Sequence, residues 1–134
     1  MHIHPLKVCA LAFIGTLLFT GMAAAADAPA PFNKWRVELS GGHATDDGQL
    51  QFRITPHEGE AILVTAKIAR GRGETFVAQD IRDAFKEQLP KKRFGTEIVA
   101  GQQVLVKPRS GEADFVVEIV EAAVPGLRIH VTRG

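Results

Sequence analysis

The residues best suited to chemistry sit in a few short segments. In Gly41 to Gly48 (GGHATDDG), the imidazole of His43 stands three and four residues from the carboxylates of Asp46 and Asp47. These are donors for a divalent cation, and Gly48 lets the backbone turn tightly around one. The same string is also turn chemistry, because Asp side chains readily bond nearby backbone N–H groups. An EF-hand would need further oxygens at alternating positions and a distal Glu, and neither follows. His57 with Glu58 and Glu60 makes a sparser set at what reads as a charged hairpin tip.

Two basic clusters are candidates for contact with an anion or a partner: Arg70 with Arg72, and Lys91, Lys92 with Arg93. Gly71 and Gly73, just ahead of a helix start, suit exposure of backbone N–H groups to an anion. Gly-Arg-Gly-Glu lacks the spacing and the Lys-Ser/Thr of a phosphate loop, however, and Glu74 repels anions.

Hydrolytic chemistry has little to build on. Ser40 lies close to His43 in sequence, but no strand–turn–helix elbow surrounds it, and Ser110 sits in a plain turn. No pair of carboxylates stands out for glycoside cleavage. With no Tyr and a single Trp, an aromatic sugar platform is not expected either. No cofactor motif occurs, so no cofactor is expected. Binding is therefore favoured over catalysis. The alternative is a small secreted hydrolase or ligand-binding protein that joins the Gly41–Gly48 loop to Arg70 or Arg72 in one pocket.

The elements that must position these groups are mostly strands. Beyond residue 26, Val and Ile together outnumber Leu 18 to 6, and branching at Cβ suits a pleated strand better than a helix. Residues 27–34 (DAPAPFNK) carry two prolines and no periodicity, which predicts a flexible lead. Period two then runs through Trp35 to Leu39, Leu50 to Ile54 and Ile62 to Ile68, the last two forming a hairpin. The period changes at Val77, Ile81, Ala84, Phe85 and Leu89. This predicts an amphipathic helix with Thr75 as its N-cap, Asp80 and Asp83 on the exposed side, and Pro90 as its stop.

Period two returns in Thr96 to Val99, Val104 to Lys107, Phe115 to Val120 and Leu127 to Val131. Val116 and Val120, on the nominally outer side, predict that part of the second face is covered. The expected fold class is α+β, a mostly antiparallel sheet of order βββαββββ with one amphipathic helix packed on one face. Residues 35–134 are expected to form a single domain.

Thr75 to Phe115 resembles the flagellin hook IN motif. The helix is entered from Gly73-Glu74-Thr75, Ala78, Ile81 and Ala84 stand at the module's small and apolar positions, and two strands and the Ser110-Gly111 turn follow. Arg82 stands where that family favours Asn. The resemblance implies a surface-exposed interaction or assembly module. It does not imply membership of the flagellum, whose axial proteins are exported without a cleaved signal.

The N-terminus reads as a bacterial secretory signal: one base at Lys7, an apolar run from Val8 to Phe19, and small residues up to Ala26. The run falls short of the roughly 20 residues that span a bilayer, so no stable membrane insertion is expected after cleavage. Cys9 and Lys7 leave with the signal. What remains is a thiol-free domain of balanced charge, expected in the periplasm or outside the cell. Zero net charge argues against bulk capture of nucleic acid and leaves a protein or a cell-envelope component as the expected partner. Mass spectrometry of the exported protein should find Asp27 as its first residue; a chain that retains Met1 to Ala26 would contradict the reading.

Overall fold

Alternation of apolar and polar residues sets which side of each strand is buried, and burial follows it closely. In β1 (Trp35–Ser40), Trp35, Val37 and Leu39 are buried; in β2 (Gly48–Thr55), Leu50, Phe52 and Ile54; in β3 (Ile62–Ile68), Val64, Ala66 and Ile68. The computed structural model describes residues 29–109 and 111–134; the signal over residues 1–26, its cleavage point and Ser110 lie outside the described residues. The chain divides after Ala30, and the unit described is Pro31–Gly134. Among the described residues, no helix is long and apolar enough to cross a membrane.

The remaining elements are α1 (Glu74–Gln88), β4 (Phe94–Val99), β5 (Gln103–Pro108), β6 (Val116–Ala123) and β7 (Arg128–Arg133). The class is α+β, the pairing is antiparallel throughout and the order is βββαββββ. Instead of one curved sheet there are two, β4-β5-β1-β7 and β3-β2-β6. Their inner faces and the helix share one core.

The chain changes sheet at tight corners where backbones touch. Gly126 has φ +92°, and a Cβ there would lie 2.5 Å from the His43 carbonyl oxygen. A Cβ at Gly48 would overlap the Ala123 carbonyl. Glycine is therefore required at both positions, where the β1–β2 and β6–β7 connections press together.

Helix α1 packs across β4, β5 and β1, three neighbouring strands of one sheet, and against β3, a terminal strand of the other. Its buried stripe, Val77, Ala78, Ile81, Ala84 and Phe85, fills the space between them. The rings of Phe52 and Phe85 meet edge to face at 5.1 Å, a favourable arrangement for paired aromatics.

Three local expectations are corrected. The N-cap is Gly73, without a side-chain cap, and Thr75 lies inside the first turn. Asp80 is held by Arg72 and is only partly exposed. Val116 packs half-buried against the core, but Val120 is 44% exposed. The register explains Val120: Phe52 faces Ile119 and Gln51 faces Glu121, so Val120 is the extra residue of a β-bulge.

The predicted lead contains an anchored residue. Phe32 exchanges two 2.9 Å backbone hydrogen bonds with Phe115, and the Phe115 carbonyl also accepts the buried Trp35 indole N–H at 2.8 Å. The start of β1 is thereby tied to the start of β6 in the other sheet. Phe52→Ala should lower unfolding free energy by about 3–5 kcal/mol, read from urea denaturation, because Phe52 is fully buried against the helix; a loss below about 1 kcal/mol would contradict this packing.

Candidate functional site

The two segments singled out around the helix N-terminus do come together, through backbone pairs and through carboxylates that accept backbone N–H groups. Ala44 N–H donates to the Arg72 carbonyl, and Gly71 N–H to the Ala44 carbonyl, each at 2.8 Å. Glu74 N–H donates to the Gly42 carbonyl at 3.2 Å, and the Glu74 carboxylate accepts Gly42 N–H at 2.7 Å. The N–H of Gly71, proposed for an anion, is thus bound within the protein.

The candidate metal ligands are arranged likewise. Asp46 accepts the N–H of Asp47, and Asp47 accepts the N–H of Arg70, each at 2.8 Å. His43 is exposed, and its backbone bridges to Gly73. Among the described residues, no group of three His, Cys, Asp or Glu gathers as a metal would need.

Arg72 is held by a two-pronged contact to Asp80, Nε to Oδ2 at 3.0 Å and Nη2 to Oδ1 at 2.8 Å. It also donates to the Phe76 carbonyl at 3.3 Å and lies 5.0 Å from the Phe76 ring centre. The hydrogen bond to Asp80 shifts the guanidinium further towards its charged form. Arg72 therefore fastens the first helical turn and shields the exposed Phe76. Arg70 is exposed, joined to the loop by its N–H.

The second basic cluster is divided by the turn after the helix. Arg93 faces the loop side: its Nη2 donates to Glu112 at 2.9 Å and to the Glu58 carbonyl at 3.1 Å. Lys92 is exposed. Lys91 turns the other way, onto a groove of about 250 Å³ between the end of α1 and β4.

That groove is built from the chain's own periodicity. Phe85 on the helix's buried stripe, Leu89 at its C-cap and Phe94, the first residue of β4, make an apolar floor. Lys86, Lys91 and Arg109 form the rim, with Thr96 on the β4 side. Arg109 is fixed in place by Nε donating to the Phe94 carbonyl at 3.1 Å. No carboxylate lines the groove among the described residues. Three cations around an apolar floor favour a partner that brings apolar surface and negative charge together.

Sequence reading named Lys91 but missed Lys86 and Arg109. Lys86 adjoins Phe85, and the last-turn position of a base beside a buried aromatic was the available signal. Arg109 carries no local signal, since only the tertiary fold brings it to Phe94.

No family model matches the chain, and neither does any curated protein.

The Arg93–Glu112 pair carries a pH dependence. The hydrogen bond from Arg93 lowers the Glu112 pKa, outweighing partial desolvation, which acts the other way. A carboxylate whose folded pKa is depressed contributes stability above its unfolded value, about 4.3 for Glu, and that contribution fades as pH falls through the folded value. Urea midpoints of wild type and Glu112→Gln should therefore differ at neutral pH, wild type being the more stable, and converge on acidification below about pH 4. A gap that stays constant with pH would contradict this.

Proposed function

We propose that the chain is an exported domain of the bacterial envelope that acts by binding a protein or other envelope component, not by catalysis, and that the groove between α1 and β4 is the contact. The single observation that carries this reading is the groove itself: Phe85, Leu89 and Phe94 below, with Lys86, Lys91 and Arg109 around them. Solvated lysines scattered on a surface contribute little to recognition, but cations bordering an apolar floor combine desolvation with charge selection.

Two further points support it. In the Gly41–Gly48 loop, the carboxylates of Asp46 and Asp47, candidates for metal binding, accept the N–H groups of Asp47 and Arg70, and the loop backbone is hydrogen-bonded to the segment at the helix start. All of the groove residues also fall within Thr75 to Phe115, the segment that resembles the hook IN motif, and that resemblance implies an interaction module.

Lys86→Glu/Lys91→Glu reverses two rim charges on exposed side chains and should leave the fold intact by circular dichroism. Wild type immobilised against periplasmic extract should retain a specific component, identified by mass spectrometry, that the double variant does not. Equal recovery by both, or repeated recovery of nothing, would overturn the proposal.

A further inference from the structure

We infer that the outer edge of β4 receives an extended acidic segment of a partner protein as an added strand, with alternate apolar side chains of that segment entering the groove. The inference rests on the groove being the contact and specifies how the contact is made.

The backbone direction of β4 follows from its first residues. Arg109 N–H donates to the Arg93 carbonyl at 2.8 Å, so Arg93 faces β5. Phe94 faces away: its N–H donates to the Pro90 carbonyl at 3.1 Å, and its carbonyl accepts Arg109 Nε. Successive residues of an antiparallel strand alternate in this respect. Thr96 and Ile98, paired opposite Val106 and Val104, therefore direct their N–H and C=O groups away from β5, off the terminal edge of the sheet. Such a row is a template for another strand.

The corresponding edge on the other side of the helix is closed. On β3, Thr65 N–H donates to Gln88 Oε1, and Gln88 Nε2 donates to the Thr65 carbonyl, both at 2.8 Å. The Gln88 carboxamide occupies that edge as a peptide unit of a neighbouring strand would. Of the two terminal strands flanking α1, β3 is blocked at its centre, and among the described residues nothing bonds the β4 edge beyond Phe94.

Register then connects the edge to the groove. A residue bonded to Thr96 from an added strand shares its face of the sheet. Thr96 lines the groove beside Phe94, so the partner side chain at that position enters the groove, and the one two residues away lies beside half-buried Ile98. At about 250 Å³ the groove suits one or two side chains and falls below the roughly 300 Å³ at which pockets for whole small ligands begin. Lys86, Lys91 and Arg109 select acidic residues in the same segment.

A displayed library of random dodecapeptides, selected on the full chain and counter-selected on Lys86→Glu/Lys91→Glu, tests this. Enriched peptides should carry apolar residues two apart with Asp or Glu adjoining. Their binding should slow amide hydrogen exchange at Thr96 and Ile98. N-methylation of the peptide at the residue facing Thr96 should weaken binding about tenfold, the effect of one lost backbone hydrogen bond at the upper end of its usual range. Thr96→Pro deletes the matching outward donor without touching the β5 ladder and should act alike; the N-methylated peptide against wild type keeps the test valid if that variant misfolds. Groove-dependent peptides that tolerate N-methylation and leave exchange unchanged would overturn strand addition but not the groove. So would charge-dependent binding of decanoate or phosphatidylglycerol vesicles with no peptide enriched. If no probe distinguishes wild type from the double reversal, the groove reading falls as well.

Discussion

The structure depends on burying one apolar helical stripe in the core shared by two sheets. Val77, Ala78, Ile81, Ala84 and Phe85 reach a dry environment by packing against β3 of one sheet and β4, β5 and β1 of the other. The far side of β2 is polar: Gln49, Gln51 and Arg53 meet Glu121, Thr65 and Glu118 across the strands. The terminal strands β3 and β4 have outward backbone groups that must find partners outside their own sheets. β3 finds Gln88, and Phe94 at the start of β4 finds Pro90 and Arg109.

Charge follows the same logic of local use. Asp80, Glu112 and Glu118 each meet an arginine, and Glu74 meets a backbone N–H. These acids stabilise turns and strand neighbours. The cations at the groove rim lie where the helix ends and β4 begins, so a chain with a formal net charge of only +1 still presents a basic border around an apolar floor. A small net charge argues against broad electrostatic attraction, yet it does not describe how charge is placed around a site.

Much of the architecture was legible because period two and period 3.6 record which side of an element is dry. The buried residues of β1, β2 and β3 and the helix stripe follow from that pattern. Periodicity carries no information about which strands become neighbours, so the division into two sheets was not legible; it depends on the close backbone approach at Gly48 and Gly126. Nor does it register an inserted residue such as Val120, because a bulge looks like continued alternation until the partner strand is known. At the site, Lys91, Lys92 and Arg93 read as one cluster because they are adjacent. A tight turn sends Lys91 and Arg93 to opposite sides, and Arg109 reaches the groove only through its bond to Phe94.

Gln88 has a further consequence, in the chemistry of ageing. Its carboxamide both donates to the Thr65 carbonyl and accepts the Thr65 N–H. Deamidation exchanges one NH₂ for an oxygen and turns the donor into a second acceptor, now facing a carbonyl it repels. The helix end would withdraw from β3 and expose a strand edge next to the exposed Leu63. One side-chain nitrogen thus decides whether the β3 edge stays closed at Thr65.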